Sequence, residues 1–169
     1  SIPTITVPFR KAGYHTAWIG KWHLGGSNSC FHYITPEQRG GFDYWLGYEN
    51  NNSQNETFVY GTECEEPYRL PGYETDSLTD LLIEHLEKHT KRRNKVDDYQ
   101  PFFAVLSVQP PHSPYVTPTT SNSRYYHNPA EIIFRKNVPP VKWVKEKAAF
   151  DLSGYYGMIE NLDMNIGKI

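Results

Sequence analysis

The run Pro101-Phe102-Phe103-Ala104-Val105-Leu106-Ser107-Val108 constrains the fold of this chain more than any other stretch. A short, continuous apolar run predicts a strand buried on both faces, and strands of that kind belong to parallel sheets covered by helices. It stops at Gln109-Pro110-Pro111-His112-Ser113-Pro114. A second apolar run, Thr16-Ala17-Trp18-Ile19, directly follows Gly13-Tyr14, which closes a helical segment from Thr6 to Ala12. Between the two runs Leu78, Leu82 and Leu86 recur at helical spacing and predict a helix from Thr75 to His89. Asp76 and Asp80 begin that helix and Lys88 and Lys91 end it, as the helix dipole prefers. A last amphipathic helix is expected from Leu152, Tyr155, Ile159, Leu162, Ile166 and Ile169, running to the end of the sequence without a capping signal. Helices and strands in this alternation predict an α/β fold, a mostly parallel sheet flanked by helices.

The span 26–74 breaks the pattern. It is rich in Asn, Gly, Tyr and Pro, with turn signals at Gly40-Gly41 and Pro71-Gly72, and reads as a long loop-rich insertion structured in part by hairpins. Its Tyr- and Asn-rich part, Tyr44–Tyr73, suits a sugar-contacting surface as well as ordinary packing. Asn51-Asn52-Ser53 and Asn55-Glu56-Thr57 have the form of glycosylation sequons, a pattern that an Asn-rich loop also produces by chance.

Charge and apolar run length exclude two partner classes. The 169 residues carry a net charge of −2, and the basic run Lys91-Arg92-Arg93-Asn94-Lys95 is followed by Asp97 and Asp98. That run reads as a solvated helix end, so no nucleic acid is expected as partner. No apolar run approaches the roughly 18 residues a membrane span needs. Cys30 and Cys64 stand alone, outside any Cys-x-x-Cys pair, and read as buried or incidental thiols.

The chemistry concentrates in Gly20-Lys21-Trp22-His23-Leu24-Gly25-Gly26. If Thr16–Ile19 is a strand, Lys21 and His23 lie just past its carboxyl end, where open α/β sheets hold their ligands. Lysine brings a point charge suited to a phosphate or sulfate oxygen, histidine a proton donor near neutral pH, and the glycines let backbone approach a ligand closely. His112 follows the carboxyl end of the second strand and is expected along the same rim. Trp18 and Trp22 read as core.

The residues Gly13-Tyr14-His15-Thr16-Ala17-Trp18-Ile19-Gly20-Lys21-Trp22-His23-Leu24-Gly25 resemble the second signature of the sulfatases, the formylglycine-dependent enzymes of the alkaline phosphatase superfamily. Further similarities follow in family order. They are Gly41-Phe42-Asp43, then Thr75-Asp76-Ser77-Leu78-Thr79-Asp80, then Pro101-Phe102-Phe103 leading to Pro111-His112-Ser113-Pro114, and last Tyr155–Asp163, similar to the helix before the family's later metal-binding loop. By this resemblance the fold is alkaline phosphatase-like and the activity is hydrolysis of a sulfate ester, with a sulfated saccharide the leading substrate. Lys21 and His23 match the pair that binds the sulfate group. His112 matches the histidine that contacts the ester oxygen and donates a proton to the leaving group. Export to a periplasm or to the cell exterior is implied in the same way.

The departures are equally informative. The Cys/Ser-x-Pro/Ala-x-Arg motif that supplies formylglycine does not occur, and Cys64-Glu65-Glu66-Pro67-Tyr68-Arg69 is off by one residue and out of order. The acidic pair and the Asp-His/Asn-Gly loop that bind the family's calcium are also absent, and Asp163 does not replace them. Calcium is therefore expected in the full-length enzyme and in no residue of this chain. The sequence reads as the central part of one sulfatase catalytic domain, with both flanks missing and inactive without them. Two other functions remain open at this point: a phosphodiesterase or phosphonate monoester hydrolase of the same superfamily, and a non-catalytic carbohydrate-binding relative.

Overall fold

The computed structural model describes residues 3–27, 29, 32–91, 100–119 and 128–169. The chain forms two compact units, Ser1–Val108 and Gln109–Ile169.

The first unit is built on a five-stranded sheet. Strand β1 is His15–Lys21, β2 is Tyr44–Tyr48, β3 is Phe58–Gly61, β4 is Tyr68–Arg69 and β5 is Phe102–Ser107; α1 is Thr6–Lys11 and α2 is Glu74–Lys91. The strand order is β4-β3-β2-β1-β5. β1 lies parallel to both β2 and β5, while β3 and β4 extend the sheet antiparallel. The parallel part, β2-β1-β5, is the expected one. Within the span 26–74 lie the short strands β2, β3 and β4, with β3 antiparallel to both β2 and β4, and the rest of the span is loop and turn.

Residues that are neighbours in sequence feed opposite faces of the sheet. In the β1–β2 register Trp18 faces Trp45 and Ile19 faces Leu46. Ile19 and Leu46 join Leu78 and Leu82 of α2 in one buried cluster, whereas Trp45 joins Trp22, Ile34 and Tyr60 in the other, with Trp18 packed against it. This is the side-chain alternation of a pleated strand, and here both faces are covered. The leucine stripe read from α2 is the buried one, and the pairs Glu84–Lys88 at 2.7 Å and Glu87–Lys91 at 2.6 Å lie on its exposed side. Of the basic run, Lys91 ends α2 and 92–95 lie outside the described residues, as does Cys30.

β5 departs from expectation in one respect. It forms an edge of the sheet, its residues are half-buried, and Phe102 is exposed, because only one flank of an edge strand is paired. Close approach of β1 and β5 depends on Gly20. Its φ is +112°, and a Cβ there would stand 2.0 Å from the carbonyl oxygen of Ser107, so no other residue fits.

In the second unit the long helix α3 spans Lys142–Ile166 and gives way at Gly167, short of the end of the sequence, so the expected uncapped run is not found. Its buried side is Ser153, Gly154, Gly157, Met158, Asn161 and Asn165 rather than the apolar stripe, of which Ile159, Ile166 and Ile169 are exposed. The packing is set by close backbone contact. A Cβ on Gly154 would meet the Tyr115 carbonyl oxygen at 2.2 Å, and the Thr117 hydroxyl donates to the Gly154 carbonyl at 3.1 Å.

Candidate active site

β1 does not end before Lys21 but on it, and the parallel pairing continues two residues further: Trp22 N–H donates to the Tyr48 carbonyl at 2.8 Å and His23 N–H to the Glu49 carbonyl at 2.9 Å. Trp22 turns into the aromatic cluster, edge-on to Trp18 and Trp45. Its two neighbours are left half-buried (Lys21) and exposed (His23). His23 takes φ +50°, a left-handed conformation that costs a non-glycine residue about 1–2 kcal/mol and recurs at functional sites.

Lys21 is held over the loop after β2. Its Nζ donates to the carbonyl of Asn51 at 3.5 Å and to the side-chain oxygen of Asn52 at 3.3 Å. Burial lowers the ammonium's pKa below the ordinary lysine value, and the carboxylates of Glu74 and Glu49 oppose that shift. Glu49 is fully buried and braces the glycine loop from beneath, accepting the N–H of Gly25 at 3.0 Å and of Ser27 at 3.2 Å. Glu74, equally buried, accepts the hydroxyls of Tyr48, at 2.9 Å, and Thr57. Burial thus disfavours the ammonium, the two buried glutamates work against that effect, and Lys21 remains partly exposed at the end of β1.

Neither glutamate stands out in the sequence. Glu49 follows Tyr44-Trp45-Leu46-Gly47-Tyr48, an aromatic-rich run that marks a strand once the span is not read as loop, and a charged residue at the carboxyl end of a parallel strand is a site signal. Glu74 is hidden among the acidic residues that open α2. Asp43 of the Gly41-Phe42-Asp43 motif is structural, since it accepts the Thr16 N–H at 2.9 Å and hydroxyl at 2.8 Å and pairs with Arg10 at 3.0 Å.

His112 belongs to the second unit, where it is exposed. Its backbone N–H donates to the Gln109 carbonyl at 2.9 Å, and its ring Nδ1 donates to the carbonyl of Ser113. A carbonyl can only accept, so Nδ1 carries the hydrogen in this contact. Among the described residues no three His, Cys, Asp or Glu side chains converge to hold a metal ion. The calcium implied by the resemblance thus finds no fitting donor set there, since that ion takes six to eight oxygens. Nor is any helix of the described residues long and apolar enough to cross a membrane.

Known proteins are similar to this chain. The chain is 31% identical over 161 residues to the ulvan-active sulfatase of Formosa agariphila, a match covering 95% of this chain and 30% of that protein. To the N-acetylglucosamine-6-O-sulfatase of Bacteroides thetaiotaomicron it is 32% identical over 106 residues, covering 61% of this chain and 15% of the relative. The crystal structure of the sulfatase yidJ from Bacteroides fragilis superposes with a TM-score of 0.75 at 22% identity, over 96% of this chain and 38% of that one. That likeness establishes the alkaline phosphatase-like α/β fold. The chain therefore spans well under half the length of the proteins it matches. The sulfatase family model matches residues 1–169, and the Gly-Lys-Trp-His turn falls at the carboxyl end of a central parallel strand, so this chain belongs to the sulfatase family.

Proposed function

We propose that the protein to which these residues belong hydrolyses a sulfate ester, a sulfated saccharide being its substrate class, and that Lys21 and His23 bind the sulfate while His112 protonates the departing oxygen. The half-buried Lys21 at the carboxyl end of β1, followed by the left-handed turn at His23, is the observation that carries the reading. A sulfate monoester brings a negative group to this point, and the ammonium offsets charge on its non-bridging oxygens as the sulfur is attacked. His23, exposed in a braced turn, donates to the same group. When the sulfur–oxygen bond breaks, its electron pair stays on the ester oxygen, and the His112 imidazolium delivers a proton there from Nε2.

The attacking nucleophile is outside residues 1–169, because no Cys/Ser-x-Pro/Ala-x-Arg motif occurs in them. Calcium belongs to the full-length enzyme in this proposal, and no step here passes through it. Two saccharide-named relatives support the substrate class. A periplasmic or secreted location follows from the family resemblance.

The test is a rate comparison on the full-length protein with 4-nitrophenyl sulfate and 4-nitrophenyl phosphate. Faster turnover of the sulfate, lost in Lys21→Ala, is the expected result. Preference for phosphate identifies a phosphoryl-transfer relative instead, and turnover of neither identifies a binding protein.

A further inference from the structure

Beside Lys21 the first unit holds a cavity of about 500 Å³, inside the size range of ligand sites. Its walls are aromatic: Tyr33, Tyr48, Phe58 and Tyr60 line it, together with Asn51 and Glu56. The Tyr33 and Tyr60 rings stack with centroids 4.9 Å apart. The guanidinium of Arg39 lies 5.8 Å from each ring centroid and donates to the Tyr33 hydroxyl at 3.2 Å. The Tyr60 hydroxyl accepts the Ile34 N–H at 2.6 Å and donates to the His32 carbonyl at 3.3 Å. These rings are therefore fixed in place before any ligand arrives. Tyr33 and Phe58 nonetheless leave 43% and 52% of their surface open, the portion available for stacking.

The cavity and the anion site share a wall. Asn51 lines the cavity, and its carbonyl accepts from Lys21 Nζ. Tyr48, also in the wall, is the residue paired with Lys21 across β1 and β2. A ligand whose anionic group sits at Lys21 would lead directly into the aromatic cavity. Among the described residues no Lys or Arg lines it; His32 does, and its carboxylate is Glu56, which pairs with Arg69 at 3.5 Å. Such walls favour a ligand with apolar faces and hydroxyl edges and disfavour one with further negative groups.

We infer that this cavity binds an uncharged pyranose unit of the substrate, the C–H faces stacking on Tyr33 and Phe58 and the hydroxyls donating to Glu56. The inference rests on the sulfatase reading for its link to the anion site. It implies that the sulfated unit is joined to a neutral sugar rather than to a uronate or a second sulfated ring.

The experiment uses the full-length protein and a panel of unsulfated neutral disaccharides: lactose, cellobiose, N,N′-diacetylchitobiose and neoagarobiose. The unsaturated uronate disaccharide of chondroitin serves as contrast. Binding is followed by saturation-transfer NMR and calorimetry. At least one neutral disaccharide is expected to bind, about tenfold more tightly than the uronate and about tenfold more weakly to Phe58→Ala, since one stacked ring is worth on the order of a factor of ten. Phe58→Tyr should restore binding, and unchanged thermal melting shows that the variants are folded. Absence of binding by every neutral disaccharide, equal binding of the uronate, or binding untouched by Phe58→Ala overturns the inference. If other parts of the protein's own chain fill the cavity, no sugar binds and Phe58→Ala lowers the melting temperature, which overturns it too. Turnover of 4-nitrophenyl sulfate by the same wild-type preparation separates the two readings. Turnover without sugar binding removes the cavity inference alone, and sugar binding without turnover removes the sulfatase reading alone.

Discussion

The carboxylate of Glu49 lies fully buried beneath the loop after β1 and accepts the backbone N–H of Gly25 at 3.0 Å. A Cβ on Gly25 would stand 3.0 Å from that oxygen and 2.3 Å from Ile34, so the glycine is what allows the carboxylate so near. With Ser27 N–H bound to the other oxygen, one side chain sets the course of the turn that presents His23. Glu49→Ala leaves two donors without their acceptor and should cost on the order of 3 kcal/mol. Denaturant unfolding measures the loss, and hydrogen exchange should quicken at Gly25 and Ser27; an unaltered exchange pattern would show that the brace is not what orders the loop.

Lys21 should set the alkaline limit of activity. Burial lowers its pKa, so the cation is lost at lower pH than for a free lysine, and kcat/KM should fall on the alkaline side before the ordinary lysine range. Glu74→Gln removes an opposing charge and should move that limb to still lower pH, whereas Lys21→Arg should move it up. The stability sign agrees: a depressed pKa makes the charged form costly to fold, a cost present below the folded-state pKa and relieved as pH rises toward the unfolded value. A limb that stays put in both variants rules out Lys21 as its origin.

In the full-length protein Lys21→Ala should lower the rate about 10²–10³-fold, the usual effect of losing one preorganised charge-stabilising donor. His112→Ala should lower it about 10²–10⁴-fold as expected for a general acid. The two are distinguishable by leaving group. Loss at His112 should be small for 4-nitrophenyl sulfate, whose phenolate departs without help, and large for a sugar sulfate, while loss at Lys21 should be similar for both.

Purified residues 1–169 should turn over no sulfate ester, because the nucleophile motif is not among them. Any turnover of 4-nitrophenyl sulfate above a heat-treated control contradicts this.

Gly20→Ala tests the sheet itself. The added methyl would collide with the Ser107 carbonyl at 2.0 Å, at a φ that alanine disfavours. A loss of roughly 3 kcal/mol or more is expected in urea unfolding. Gly26→Ala, at φ +81° with open space around the position, should cost only about 1–2 kcal/mol.

Much of this architecture is legible as pattern. The run 102–107 and the run through Ile19 are adjacent parallel strands, and the Leu78-Leu82 stripe is the buried side of α2. The elements that pattern misses share a cause. β2 is hidden because Tyr44–Tyr48 carries no polar alternation and sits in Asn- and Gly-rich surroundings. The buried face of α3 escapes because Gly154 and Gly157 bury backbone rather than apolar side chains, a contact that hydrophobic periodicity does not register.

The sequence alone carries the α/β class through its apolar periods, the family through the resemblance of its motifs, and the proposal of Lys21, His23 and His112 through their places in those motifs, all of them local patterns. The tertiary structure decided what surrounds them. Glu49 and Glu74 come to Lys21 from the residue just after β2 and from the start of α2, and the aromatic cavity is assembled from segments on both sides of β2. Electrostatic support and cavity shape are properties of distances through space, and those distances exist only once β1, β2 and α2 have packed together.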